Sequence, residues 1–87
     1  MTRGSIFAEV DMERVRQDGL WGIAFDDSNT AFDWVAYITK FAGKSLTRPF
    51  SWTGFRECMI KVAALAVAAI EACDRASERE HCDNVAN

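Results

Sequence analysis

Lys40, Lys44 and Lys61 are the only lysines in the chain. Lys40 and Lys44 stand one helical turn apart, on a face that also carries Asp33 and Tyr37. Two ammonium groups about 6 Å apart repel by roughly 3 kcal/mol at an effective dielectric near 20, so clustering them calls for anions nearby. Asp33, Glu57 or a bound phosphate or carboxylate would supply that charge. The chemistry on offer is metal-independent capture of an anion, with ammonium groups providing the positive charge. A plainer arrangement accounts for the same residues. On a helical wheel Lys40 and Lys44 lie opposite the apolar arc of Phe32, Val35, Ile38 and Ala42. Glu57 and Lys61 form an i,i+4 pair worth a few tenths of a kcal/mol, and all three lysines then simply face water.

Other reactive or stacking groups are sparse. Trp21, Trp34 and Trp52 offer flat surfaces for a base, and equally anchors for a core or a dimer. Asp26-Asp27-Ser28-Asn29 lacks the glycine and distal glutamate of a calcium loop and reads as a turn into a helix cap at Thr30. Cys58 has Lys61 three residues on, which favours thiolate. The single histidine, His81, lies in the C-terminal tail, so that thiol has no base. His81-Cys82-Asp83 has no second cysteine or histidine close by to complete a zinc set. Three cysteines are an odd number for a disulfide framework. Cys58 and Cys73 fall on one helix about 22 Å apart, too far to bridge. Reduced thiols in a cytoplasmic protein are the expectation.

The elements that must position these residues are helices. One proline, Pro49, and five glycines divide the chain into three helical stretches. The first is expected over 5–18, capped by Ser5, with Ile6, Phe7, Val10 and Val15 as its apolar stripe and Gly19 as its end. A loop over 20–30 follows. Thr30 caps the second helix, with Asp33 approximating a capping box, and that helix reaches about residue 45. After Thr47-Arg48-Pro49, Ser51 caps a third helix ending near 75–77, and the charged tail 78–87 is expected to fray. No segment alternates apolar and polar as a half-buried strand would. A single all-α domain over 5–77 is the prediction.

The 87 residues are 49% hydrophobic and 26% charged, and 10 basic against 13 acidic residues give a net charge of −3. That composition argues against disorder and against generic nucleic-acid binding, which rests on neutralising phosphates. The longest apolar run, over 62–70, is far short of the roughly 20 residues that span a bilayer, and the N-terminal residues hold no signal-peptide core. The third helix is apolar nearly all round from Cys58 to Cys73, interrupted only by Lys61 and Glu71. At roughly 37 Å it is too long for two short helices to wrap. Its alanines let another helix approach closely. Homo-oligomerisation through helix 51–77 is therefore expected, most simply as a two-fold dimer and by doubling as a tetramer.

Particular strings carry a resemblance. Glu13-Arg14-Val15-Arg16-Gln17-Asp18 precedes Trp21-Gly22, then Phe32-Asp33-Trp34-Val35-Ala36, Phe55-Arg56-Glu57 and Val62-Ala63-Ala64-Leu65-Ala66-Val67-Ala68-Ala69-Ile70-Glu71. Together, over residues 8–75, these resemble the small MazG-like proteins of the all-α nucleotide pyrophosphohydrolase superfamily, many of them carried by phages and other mobile elements. The resemblance implies a helical bundle completed by oligomerisation. It also implies cleavage of nucleoside triphosphates on Mg²⁺ held by Glu-Glu-x-x-Glu on one helix and Glu-x-x-Asp or Gln on the next. This chain departs from the pattern at every matching position: Lys40, Phe41 and Lys44 replace the glutamates, Cys58 the fourth carboxylate, and Lys61 the last residue. Ammonium groups and a phenyl ring do not ligate a divalent cation.

The expectation is a pseudo-enzyme that has lost the family's Mg²⁺ site and serves as a structural or interaction module, without nucleic-acid polymer or membrane. An unidentified protein partner is compatible with that role. One alternative is metal-independent nucleotide or anion binding at Lys40, Lys44 and Lys61, which the family's helix arrangement would bring face to face, with Asp33, Tyr37 and Trp21 beside them. A second is weak Mg²⁺-dependent hydrolysis of nucleoside triphosphates using non-family carboxylates such as Asp33 and Glu57.

Overall fold

A computed structural model describes residues 2–47 and 49–86, with side chains described up to Glu80. The side chains of His81, Cys82 and Asp83 therefore lie outside the described residues. The chain forms four helices in the order α1 (Arg3–Leu20), α2 (Gly22–Ser28), α3 (Ala31–Lys44) and α4 (Trp52–Ala86), with no strand among the described residues. No helix is long and apolar enough to cross a membrane among those residues.

Local chemistry explains each boundary. Thr2, not Ser5, caps α1, accepting from the Ser5 amide at 3.2 Å, while the Ser5 hydroxyl donates back to the Thr2 carbonyl. Gly19 does not end α1. The break comes at Trp21-Gly22, where Gly22 takes a φ of 83°, left-handed backbone that a side chain would strain. The expected loop over 20–30 is thus largely helix α2. Thr30 and Asp33 make the reciprocal capping box of α3, Thr30 accepting from the Asp33 amide and Asp33 accepting from the Thr30 amide at 2.9 Å. Ser51 starts α4 by accepting from the Gly54 amide at 3.0 Å. That helix continues past the expected end at 75–77, and Arg75 and, beyond that point, Arg79 reach Asp27 of α2, at 2.8 and 3.5 Å.

Helix α4 is the spine, with α1, α2 and α3 all against it. The buried apolar residues are Val10, Trp34, Ala64, Leu65, Ala68 and Ala72. On α3 the core face is Trp34 with half-buried Tyr37, Ile38 and Phe41. The arc expected to face inward is therefore rotated, since Phe32 is 86% and Val35 63% exposed. On α1 only Val10 of the expected stripe is buried, and Arg14 and Gln17 join it inside. A radius of gyration of 15.4 Å, against about 12 Å for a compact chain of this length, reflects a long α4 covered on one side.

Arg14 ties three of the four helices. Its guanidinium donates to Asp18 at 2.7 Å and to Glu71 of α4 at 3.0 Å, and lies 3.7 Å from Asp26 of α2. The Arg14 and Asp26 side chains are 9% and 7% exposed. Burial pushes the Asp26 carboxyl above its usual range, with Arg14 pulling the other way. Two predictions follow from this knot. Arg14→Met strands Asp26 and is expected to cost about 3–5 kcal/mol in urea unfolding, most of it recovered when Asp26→Leu is added. A native pKa above the unfolded one means that ionised Asp26 costs stability at neutral pH, and that the cost fades as pH falls through the native value. Asp26→Asn should therefore gain on the parent protein at pH 7, with the gain shrinking towards pH 4. Urea melts across that range check the sign, and the opposite trend would mean that the attraction of Arg14 outweighs burial.

Candidate functional site

Phe41 organises the lysines. The Lys40, Lys44 and Lys61 ammonium nitrogens lie 6.0, 5.4 and 6.0 Å from its ring centroid. Lys40 and Lys44 come from successive turns of α3, and Lys61 reaches across from α4. The ring itself is half-buried against the core around Trp34, Leu65 and Ala68, so its position is fixed by packing. Its negative π-face offers each cation roughly 0.5–1 kcal/mol at an exposed site, a partial offset to their mutual repulsion. Among the described residues every ion pair uses an arginine, namely Arg14, Arg16, Arg56, Arg75 or Arg79, and none uses a lysine.

An aromatic groove opens beside this cluster. A cavity of about 200 Å³ is lined by Trp21, Phe25, Tyr37, Lys40, Phe41 and Leu65. Phe25 lies between the other two rings, 6.1 Å from Trp21 and 6.5 Å from Tyr37 with interplanar angles of 27° and 24°. Tyr37 also meets Trp34 edge-on and points its hydroxyl at the Asn29 side-chain oxygen at 3.5 Å. Helix α2 is what delivers Phe25. Sequence reasoning missed that residue because it treated the segment as loop, although the Trp21–Phe25 spacing of four was the available signal.

The far side of Lys61 is acidic. Glu9, Glu13, Arg56, Glu57, Ile60 and Lys61 line a second cavity of about 200 Å³. Glu13 is held below the usual carboxylate range chiefly by the hydrogen bond from Arg16, with smaller help from Gln17 and the Lys61 charge against some burial. Arg56 grips both oxygens of Glu9.

Of the residues expected at the site, Lys40, Lys44, Lys61, Tyr37 and Trp21 come together. Asp33 does not join them. It is committed to the capping box at the start of α3, two turns before Lys40. Glu57 lies on the acidic side, so Asp33 and Glu57 do not converge as a carboxylate pair. Cys58 is half-buried on α4. Among the described residues no three His, Cys, Asp or Glu side chains form a group that could hold a metal ion. Compared with known protein families, curated proteins and solved structures, the chain matches none.

Proposed function

We propose that the protein is a non-catalytic, MazG-like interaction module that captures a phosphate-bearing, nucleotide-class anion without a metal. The observation that carries this reading is the gathering of all three lysines around Phe41; among the described residues none of them makes an ion pair within 4 Å, although Glu13 lies near enough to Lys61 to feel its charge. Each ammonium lies within about 6 Å of the same ring centroid, inside the roughly 8 Å Debye length at physiological salt, so an anion seated near that ring feels all three. Ammonium groups present three rotatable donors each, which suits the oxygens of a phosphate chain without imposing one geometry. The aromatic groove of Trp21, Phe25 and Tyr37 supplies a flat apolar wall for the ligand's body, with Lys40 shared between groove and cluster.

In this reading the arrangement binds and orients an anion rather than cleaving it. Asp33 is occupied by its cap, and Glu57 faces away from the groove. The ligand's negative charge is met by ammonium groups at the positions where the family pattern would hold Mg²⁺.

Thermal unfolding with pyrophosphate, nucleoside monophosphates and nucleoside triphosphates, each with Mg²⁺ or with EDTA, tests the reading. Ligand at a hundred times its dissociation constant should stabilise the fold by about 2.7 kcal/mol, a shift of about 10 °C or more, equally with and without the metal. Raising salt should shrink the shift. Lys40→Glu with Lys44→Glu, both at exposed positions, should abolish it. Asp33→Asn should lower the melting temperature by loosening the cap yet leave the ligand-induced shift intact. A shift seen only with Mg²⁺, accompanied by release of pyrophosphate, would overturn the proposal in favour of an enzyme.

A further inference from the structure

One end of the molecule combines exposed apolar side chains with positive charge. Helix α4 is 35 residues long, about 52 Å, in a molecule whose longest dimension is 56 Å, so its first residue, Trp52, lies at an extremity. The connection from α3 to α4 turns there, and Leu46, Phe50 and Trp52 stand out of it, 68%, 45% and 76% exposed. The backbone that presents them is held. Ser45 is buried, its hydroxyl donating to the Ala42 carbonyl at 2.6 Å, and the Leu46 amide donates to the Gly43 carbonyl at 3.2 Å. The Thr47 hydroxyl donates to the Lys44 carbonyl at 2.8 Å. Beyond the turn, Phe50, Trp52 and Phe55 pack on one another with ring centroids 5.2–6.2 Å apart. A buried serine beside an outward leucine reverses the usual preference of both side chains for solvent.

Charge is sorted to the same end. Residues 34–56 hold Lys40, Lys44, Arg48 and Arg56, and residues 1–8 hold Arg3, yet none of the 13 acidic residues falls in either stretch. Helix α1 brings its start alongside. Glu9 meets Arg56 near the beginning of α4, whereas Arg14 meets Glu71 further along, so the two helices run in the same direction. Arg3, Ile6 and Phe7, all exposed, therefore lie towards Trp52.

We infer that this end docks on an anionic lipid surface. Leu46, Phe50 and Trp52 enter the boundary between headgroups and acyl chains, while Arg3 and Lys44 meet lipid phosphates. Tryptophan and phenylalanine suit that boundary, and basic side chains near it are drawn to anionic lipids. The apolar run over 62–70 is too short to span a bilayer, but resting at its surface takes insertion of only about 5–10 Å. A protruding end suits a fluid surface that moulds to it, whereas a folded partner would need a cavity of matching shape. The inference stands apart from the anion site, since none of its three apolar residues lines the aromatic groove.

Co-sedimentation with vesicles tests it. The intact protein should pellet with vesicles of phosphatidylglycerol and phosphatidylcholine in equal parts, and far less with phosphatidylcholine alone or at high salt. Leu46→Ser with Trp52→Ser should weaken that binding roughly tenfold or more, with helical content unchanged by circular dichroism. Leu46→Ser alone, outside the knot of rings, should act in the same direction and covers the case of a double variant that folds poorly. Phe32→Ser removes a side chain more exposed than any of these, from the opposite end of α3, and should leave binding unaltered. The melting shift with pyrophosphate should survive Leu46→Ser with Trp52→Ser, and soluble glycerol phosphate should not displace the protein from vesicles. The two readings therefore fail separately. Absence of pelleting with the anionic vesicles overturns the inference, as does equal pelleting with neutral ones. So does a loss on Phe32→Ser as large as at the tip, or a tip that governs only the mass of the protein in solution, which would assign that end to a protein contact.

Discussion

The fold depends on one buried guanidinium. The apolar core is thin, four of its six buried residues being alanine or valine, and it joins α3 to α4 far better than it joins α1 or α2. Arg14 closes that gap by reaching Asp18 on its own helix, Asp26 on α2 and Glu71 on α4. Asp27 extends the same edge to Arg75 and Arg79. Buried ion pairs return little net stability once desolvation is counted. Their value here is positional, because only one rotation of α1 brings Arg14 to Glu71 while keeping Gln17 and Val10 inside. The two edges of α4 are thus held by different physics, ionic towards α1 and α2, apolar towards α3.

That division explains what could be read from the sequence. Signals carried by a few adjacent residues were legible, including the Thr30–Asp33 box, the Ser51 cap, the break before Pro49 and the all-helical pattern. Signals that depend on a distant partner were not. Arg14 and Gln17 do not belong to the apolar stripe expected on α1, and what brings them inside is contact with Asp26 and Glu71 for Arg14 and with Arg14 and Glu13 for Gln17. Helix α2 is seven residues long, too short for periodicity to speak; Gly22 turns the chain into it, and its one buried residue is Asp26. The core face of α3 was rotated for a similar reason. Phe32 and Val35 are as apolar as Trp34 and Phe41, and the wheel alone does not say which pair meets Leu65.

The candidate site follows the same logic in reverse. The helix rise and the order of lysines on α3 and α4 were enough to anticipate three ammonium groups in one neighbourhood, given the resemblance. The aromatic ring beneath them was also in the sequence, as the residue that the resemblance sets against a family carboxylate. What was not visible is that Phe41 would be fixed by the core rather than left on the surface, or that Phe25 would arrive from a segment read as loop. The arginines take the carboxylates, because a planar fork matches two oxygens at once and tolerates partial burial. The lysines are left as point charges on flexible stems, which in a chain of net charge −3 makes their corner a local reversal of sign.

Helix α3 separates that corner from the groove it forms with α4. Lys40 and Lys44 extend from one flank, beside Tyr37 and Phe41, while Val35 and Ile38 on the other flank wall the groove against Ala69 and Ala76. Helix α4 thus meets ionic contacts on one edge and the α3 core on the next, while Val67 and Ile70 stay exposed on a further side, 39% and 61% accessible.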